Sequence, residues 1–369
     1  MTDDLFARQL RLAKVRTSML EAGIDTLLLS LGADLPWITG YHAMPLERLT
    51  MLVLPVDDTP TLVVPGMEAA RVAQRPELFN LRPWGETESP VQIVADLVGN
   101  RTKLGISDRS WSTFLLDLQS LLPKATWRQA SHVTGPLRAI KDAAEIAALQ
   151  NAATAADIIA AELQNGDIPL IGRTEAEVSA DLSARILARG HDAVNFAIVA
   201  AGENAASPHH EPGRRVIKAN EVVLCDFGGT MADYCSDITR CVYTGEPPAE
   251  FADLYETLMA SQAAGVAAGT VGTPCEGVDQ ASRRVIDDAG FGQYFIHRTG
   301  HGIGMEAHED PYMVSGNTEE LIAGHAYSVE PGIYVSGKWG ARLEDIVVAT
   351  THGPLALNTA DHRLMAVEA

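Results

Sequence analysis

Residues 221–244 read EVVLCDFGGTMADYCSDITRCVYT and predict a hairpin, because two runs of β-forming residues flank a pair of glycines. The hairpin midpoint is expected between Met231 and Ala232, which places Asp226 opposite Asp237. One carboxylate near a strand end is usually a turn residue. Two like charges facing each other destabilise a hairpin unless a positive charge lies between them. The pair therefore indicates a cation site.

A second hairpin of the same character lies near the end of the sequence. Strands are predicted over residues 326–335 and 342–350, and Glu330 and Glu344 occupy opposite positions on one sheet face. Arg342 is two residues before Glu344 and shares that face, where it can orient a carboxylate ligand or meet a substrate carboxylate. The alternative for such an arginine is a surface ion pair.

Histidines occur in two segments, one that contains several glycines and one that is rich in small residues. Residues 295–308 read FIHRTGHGIGMEAH, and the glycines around His301 allow the close approach expected where a chain wraps a metal ion; a flexible loop is the alternative. Residues 200–210 read AAGENAASPHH and end in His209, with a solvated turn as the simpler interpretation. His301 and the four carboxylates form a hard, oxygen-rich donor set that suits Mn²⁺, Co²⁺ or Fe²⁺. Two such ions sharing bridging carboxylates indicate hydrolysis.

Composition narrows the class of protein. A chain of 369 residues suggests two domains, and its net charge of −20 argues against nucleic acid as a partner. The acidic start of the sequence shows no export signal, and its apolar runs are too short to cross a membrane, so a soluble cytoplasmic protein is expected. The four cysteines match no CxxC metal clip and are expected to be reduced, buried thiols.

The chain is predicted to divide at Gly135-Pro136. Residues 1–135 alternate helices and strands, which predicts an α/β domain. Residues 136–369 begin with helices and continue with hairpins, which predicts an α+β domain with an antiparallel sheet. The helices are predicted at residues 5–22, 68–74, 111–122, 142–163, 174–189, 249–268 and 275–289, and the early strands at 26–30, 51–55 and 61–65.

Several motifs together resemble the pita-bread metallopeptidases, a family that includes prolidase, aminopeptidase P and methionine aminopeptidase. The likeness spans residues 138–369, and the N-terminal part, including LPWITGY at residues 35–41, is similar to the creatinase-type domain of prolidase and aminopeptidase P. The motifs are Asp226 with the eleven-residue step to Asp237, GHGIG at residues 300–304, EPGIY at residues 330–334 and RLED at residues 342–345. All five metal donors of the family are retained, unlike in creatinase.

This resemblance implies two divalent metal ions, with Mn²⁺ expected and Co²⁺, Fe²⁺ or Zn²⁺ as alternatives. The implied metal ligands are Asp226, Asp237, His301, Glu330 and Glu344. A metal-bound hydroxide would attack the substrate, and Glu330 would shuttle its proton. The implied catalytic residues are His209, His297, His308, Glu330 and Arg342.

The fourteen-residue step from Glu330 to Glu344 is similar to that of short prolidases, so cleavage of Xaa-Pro dipeptides is expected. Aminopeptidase P activity on longer peptides is the nearest alternative. A non-enzymatic binding module and a metal-dependent lyase on the same scaffold are two others. The resemblance also implies a homodimer.

Overall fold

The structure, a computed structural model, describes residues 2–368, with side chains from residue 5 onward. It divides into two compact units, Met1–Arg138 and Ala139–Ala369. Gly135 and Pro136 do not interrupt the chain as predicted, because both lie inside one nine-residue helix, Ser131–Ala139. None of the described helices is long and apolar enough to cross a membrane.

The first unit is built on a six-stranded mixed sheet with the order β4-β3-β2-β1-β5-β6. Its strands are β1 (Thr26–Leu29), β2 (Met51–Pro55), β3 (Thr61–Pro65), β4 (Asn80–Trp84), β5 (Lys103–Ile106) and β6 (Thr126–Gln129). Its helices are α1 (Thr2–Ala22), α2 (Asp34–Thr39), α3 (Pro90–Val98), α4 (Ser112–Leu121) and α5 (Ser131–Ala139). The predicted helix at 68–74 is instead a 3₁₀ helix over Gly66–Arg71. The α/β prediction is confirmed.

The second unit combines four helices with three sheets. Its helices are α6 (Ala143–Gln164), α7 (Glu175–Ala188), α8 (Ala249–Ala268) and α9 (Cys275–Asp288). Its strands are β7 (Ala193–Ala201), β8 (Val222–Met231), β9 (Tyr234–Cys235), β10 (Ile238–Thr244), β11 (Gly300–Gly302), β12 (Glu309–Met313), β13 (Ala326–Val329), β14 (Gly332–Val335), β15 (Trp339–Arg342), β16 (Asp345–Thr350), β17 (Gly353–Ala356) and β18 (Met365–Val367). The sheet orders are β18-β10-β8-β7, with β9 added to β8, then β12-β11-β13-β16-β17, and finally β14-β15. Only β10 and β18 pair in parallel among these strands, so the predicted α+β domain with antiparallel sheets is confirmed.

Helix α6 begins where the sequence supplies a capping box. The carboxylate of Asp142 accepts from the N–H groups of Ala144 and Glu145 at 2.9 Å, and Glu145 accepts from the N–H of Asp142 at 2.9 Å. Ile159 and Leu163 then pack on the β8–β10 hairpin and are fully buried. Burial of such a side chain contributes about 1.5–3 kcal/mol relative to exposure.

On the other face of the same hairpin, Leu224 and Cys241 belong to a second apolar cluster that includes Phe251 and Leu258 of α8. Strand β8 is therefore buried on both faces. This explains its unbroken apolar start and leaves Asp226 as a buried carboxylate in an apolar strand.

The small sheet β14-β15 ends in an exposed turn, Ser336-Gly337-Lys338. Gly337 has a φ of 73°, and a Cβ built there would meet nothing within 4 Å. The turn is thus held by its backbone conformation rather than by packing.

Candidate metal centre

Every predicted site residue lines one pocket of about 760 Å³ in the second unit. Asp226 lies on β8, Asp237 between β9 and β10, and His301 on β11; Glu330 follows β13, and Glu344 precedes β16. The pocket is lined by Phe196, Ile198, Ser207, Pro208, His209, Asp226, Asp237, Ile296, His297, Arg298, His301, His308, Glu330, Arg342 and Glu344. Residues from distant parts of the sequence thus meet in one cavity.

The β8–β10 hairpin differs from its prediction by two residues. Asp226 pairs with Thr239 rather than Asp237, because the turn is centred on Ala232-Asp233, which have φ values of 48° and 73°. Asp237 lies level with Gly228, two positions along β8 from Asp226. Both carboxylates therefore still share one face of the sheet.

Gly228 is required at this point of the hairpin. A Cβ there would lie 2.1 Å from the carbonyl oxygen of Ser236, closer than real Cβ contacts. The absence of a side chain lets the strand that carries Asp237 approach β8. The glycine therefore helps to bring the two carboxylates together.

The prediction of two long strands at residues 326–335 and 342–350 is wrong, since each is broken in two. Strand β13 pairs with β16 in one sheet, and β14 pairs with β15 in another. Both pairs keep a register centred on Gly337. Glu330 and Glu344 therefore occupy matching positions at the break, as expected for a hairpin, but in neither sheet.

The break has a local cause. Pro331 has no N–H, so it cannot continue the ladder from Glu330. The N–H of Glu330 donates to the carbonyl of Thr299 at 2.8 Å, and that of Glu344 to the carbonyl of Thr239 at 3.3 Å. The two glutamates are thereby tied to the segments next to His301 and Asp237.

His301 is held in one ring orientation. Its Nδ1 lies 3.1 Å from the carbonyl oxygen of Gly302, and an Nδ1–H donated there leaves Nε2 to face the carboxylates. Nε2 lies 3.2 Å from Glu330 Oε1 and 3.8 Å from Asp237 Oδ2. Gly300 permits the close packing of this strand, because a Cβ there would lie 1.8 Å from the Ser328 carbonyl oxygen.

The carboxylates of the site repel one another. Burial and the charges of Glu344, Asp226 and Glu330 raise the pKa of Asp237 well above its usual value. Burial and the charges of Glu330 and Asp226 likewise raise the pKa of Glu344. Burial also raises the pKa of Asp226, against the opposing charge of Arg342.

Glu330 behaves differently. Burial would raise its pKa, but the hydrogen bond from His301 and the charges of His301, His297 and Arg342 lower it to about 2. Glu330 is therefore ionised at neutral pH, next to carboxylates that hold their protons more tightly.

These donors fit divalent cations. One ligand atom each from Asp237, His301 and Glu344 lie within 4.8 Å of one another. Asp226 Oδ1 is buried and has no hydrogen-bond partner among residues 2–368. A divalent cation that prefers oxygen ligands would stabilise this unpaired buried oxygen and the carboxylates that repel one another.

Arg342 is 3% exposed, and all three nitrogens of its guanidinium donate hydrogen bonds to neighbouring groups. Its Nη2 donates to Asp226 Oδ2 at 2.5 Å, and its Nε donates to Thr239 Oγ1 at 3.1 Å. Its Nη1 donates to the hydroxyl of Tyr334 at 2.8 Å and to the carbonyl of Pro208 at 3.3 Å. Of the two roles predicted for Arg342, this geometry favours orientation of a carboxylate ligand.

The remaining predicted histidines surround the donor set. The His308 ring lies 3.8 Å from the His301 ring, centroid to centroid, and burial followed by the charge of His301 lowers its pKa to about 4. His297 Nε2 lies 2.9 Å from the Tyr334 hydroxyl, and burial lowers the pKa of His297. His209 lies exposed at the edge of the pocket. His308 is consequently neutral at pH 7.

Two hydroxyl residues support the donors and had not been predicted to do so. Thr239 Oγ1 donates to Glu344 Oε2 at 2.6 Å. Ser328 Oγ accepts from the His301 N–H and donates to Glu330 Oε1, both at 3.0 Å. In the sequence both are ordinary strand residues, so no local signal distinguishes them.

Glu175 is a further unpredicted residue, whose carboxylate is completely buried. It accepts hydrogen bonds from the N–H of Ala201, the side chain of Asn204 and the N–H of Gly213, at 2.9, 2.9 and 3.3 Å. His210 Nε2 lies 2.8 Å away. Glu175 therefore organises the loop that brings a histidine and a proline to the pocket.

Two family models match consecutive parts of the chain. Residues 138–351 match the model of metallopeptidase family M24, and residues 11–140 match the creatinase/prolidase N-terminal domain. The chain belongs to metallopeptidase family M24, so the second unit has the pita-bread fold, and the resemblance seen in the sequence is confirmed. Membership implies divalent metal ions and peptide substrates, and it favours an enzyme over the binding module.

Individual relatives cover the whole length of the chain. The probable dipeptidase PepE of Mycobacterium tuberculosis is 39% identical over 372 residues, which are 99% of this chain and 97% of that protein. The crystal structure of dipeptidase PepE from Mycobacterium ulcerans is 40% identical, with a TM-score of 0.93 and 99% of each chain covered. The recombinant prolidase from Thermococcus sibiricus is 34% identical, with a TM-score of 0.91 and 97% and 98% of the chains covered.

Proposed function

We propose that this protein is a Xaa-Pro dipeptidase that uses two divalent metal ions, Mn²⁺ foremost. The observation that carries the proposal is the convergence of four carboxylates and one histidine in one pocket, three of them with ligand atoms within 4.8 Å. Relatives named dipeptidase and prolidase support the substrate class.

Each donor has a place in this scheme. Asp226, Asp237, His301, Glu330 and Glu344 would together hold the two ions. Bound there, two divalent cations would lower the pKa of water and polarise the scissile carbonyl. Arg342 keeps Asp226 in position through its 2.5 Å contact.

Glu330 is assigned to proton transfer. Its carboxylate lines the pocket among the metal donors, so it can accept a proton from the attacking water. The nitrogen of an Xaa-Pro bond has no hydrogen, and the departing proline therefore needs a proton to leave as an amine. Glu330 would return the proton to that nitrogen.

Two of the predicted histidines act on the substrate. Neutral His308 has an N–H to donate to the oxyanion that develops on the carbonyl, and His209 contacts the peptide from the pocket edge. His297 fixes Tyr334, which in turn accepts from Arg342. Apolar side chains of Phe196, Ile198, Pro208 and Ile296 line the same pocket and offer a surface for the pyrrolidine ring.

Metal removal tests this function directly. Chelator-treated protein is expected to lose at least about 1000-fold in kcat/KM for Ala-Pro, because the cations supply several kcal/mol of transition-state stabilisation. Added Mn²⁺ should restore activity, and Ala-Pro should be cleaved faster than Ala-Pro-Ala. The measurement is release of the N-terminal alanine from each peptide, across Mn²⁺, Co²⁺, Fe²⁺ and Zn²⁺.

The outcomes separate the alternatives. Turnover of Ala-Pro-Ala with an inert Ala-Pro would reassign the protein to aminopeptidase P activity. No hydrolysis of either peptide with any of the four metals would contradict both assignments and favour the lyase.

We also propose that the enzyme is a cytoplasmic homodimer. All four cysteines are free and buried, as expected for a reducing compartment. Helix α1 exposes Phe6, Leu10 and Leu20, apolar side chains that a partner subunit would cover. Sedimentation equilibrium should give twice the chain mass of 39.5 kDa, whereas a monomer at micromolar concentration would contradict the homodimer.

A further inference from the structure

We propose that Arg298 binds the free C-terminal carboxylate of the substrate and thereby selects dipeptides over longer peptides. This inference rests on the proposed dipeptidase function. A dipeptidase requires such a cation, because its substrate has a negatively charged carboxylate one residue beyond the bond that is cut.

Only two arginines line the pocket among the described residues, and no lysine does. Arg342 is 3% exposed, and its Nε and both terminal nitrogens donate to Asp226, Thr239, Tyr334 and Pro208. A cation that already neutralises a buried carboxylate cannot move to a substrate without leaving that carboxylate unpaired. Arg342 is therefore not the anchor.

Arg298 is in the opposite situation. It is partly exposed at the pocket, and within residues 2–368 its guanidinium has neither a hydrogen bond nor an ion pair. Its Cζ lies 4.3 Å from the centre of the Tyr312 ring. A guanidinium over an aromatic ring keeps its N–H donors available at its edge, where they match the two oxygens of a carboxylate.

The position of Arg298 is fixed relative to the metal donors. Tyr312, which supports its guanidinium, is the cross-strand partner of His301 in the β11–β12 pair. Arg298 itself precedes His301 by three residues. The cation is thus held beside the donor set, on the same wall of the pocket as His301.

The test compares Ala-Pro with its amide, Ala-Pro-NH₂, in Arg298→Met. We expect kcat/KM for Ala-Pro to fall about 10–100-fold, the size of one hydrogen-bonded charge, mainly through KM. Turnover of the amide should change less than about twofold, since it has no carboxylate to lose. Arg298→Lys should recover part of the loss. The matched control is Arg284→Met, which removes the same charge from an exposed position on α9 outside the pocket.

A binding measurement supplies a second readout. Calorimetry should show weaker binding of the product proline to Arg298→Met than to the unaltered enzyme, with prolinamide unaffected. Equal losses for acid and amide would give Arg298 a packing role and overturn the proposal, as would an unchanged Ala-Pro rate. If the unaltered enzyme cleaves neither peptide, the proposed function fails; if it cleaves both equally well, only this inference fails.

Discussion

Asp237→Asn is expected to reduce kcat/KM for Ala-Pro by at least about 1000-fold and to make the metal-free protein more stable. The loss follows because Asp237 lies among the donors, with ligand atoms within 4.8 Å of those of His301 and Glu344. The gain follows because burial and three neighbouring carboxylates raise its pKa in the folded state. The amide keeps the shape of the side chain and removes its charge.

The sign of the stability effect can be checked against pH. A carboxyl group whose folded pKa is raised destabilises the fold once the pH exceeds its unfolded value near 4, and the cost grows until the folded pKa is reached. Metal-free protein should therefore lose stability above about pH 4, and Asp237→Asn should lose less. Urea unfolding in chelator at two pH values, with metal content by mass spectrometry, gives both readouts.

Asp253→Asn is the control for this experiment, because it removes an exposed carboxylate on α8. It should leave activity, metal content and stability unchanged. An Asp237→Asn protein that retains two metals and full activity would remove Asp237 from the ligand set. A metal-free variant less stable than its parent would show that repulsion is not the dominant cost at the site.

Arg240→Met is expected to destabilise the protein by about 3–5 kcal/mol, with or without metal, because it removes the buried cation paired with Asp345 and leaves that carboxylate only Gln262 and His362 as partners. Arg240 has no exposed side-chain surface, and its Nη2 donates to Asp345 Oδ1 at 2.7 Å. It also donates to the carbonyls of Glu344 and Ala360 at 2.7 and 3.0 Å. Urea unfolding measures the loss of free energy.

A second variant identifies the cause. Asp345→Asn combined with Arg240→Met should recover part of the stability, since the carboxylate that lost its partner is then uncharged. Arg363→Met is the control, because that arginine is 73% exposed and its pair with Asp361 should contribute less than about 1 kcal/mol. A loss below about 1 kcal/mol for Arg240→Met would contradict this account of the buried pair.

Much of the donor set could be predicted because its signals are local. Carboxylates inside apolar strands and a histidine between glycines are unusual wherever they occur. The register centred on Gly337 was also predictable, since a hairpin is symmetrical about its turn. The predicted partner of Asp226 is wrong because the turn residues Ala232 and Asp233 have positive φ, a conformation that the sequence would indicate only through a glycine.

The supporting residues could not be predicted for a different reason. Glu175, Arg240 and Asp345 are charged residues in helices or strands, and such residues are usually solvated. Their burial is decided by segments more than twenty residues away, as when Arg240 meets Asp345. Likewise, Pro331 suggested a strand edge, but the separation of β13 and β14 into different sheets depends on Thr299 and on Thr239.

The length of the exposed turn at Gly337 can change without moving the two glutamates of the site. It lies at the far end of β14-β15, while Glu330 and Glu344 lie at the near end, so residues added at the tip leave the spacing of both glutamates in three dimensions unchanged. Doubling the length of a flexible loop costs only about 0.6 kcal/mol in closure entropy. Residues inserted at the tip of this turn are therefore expected to leave the two glutamates, and the metal site that they help to form, in place.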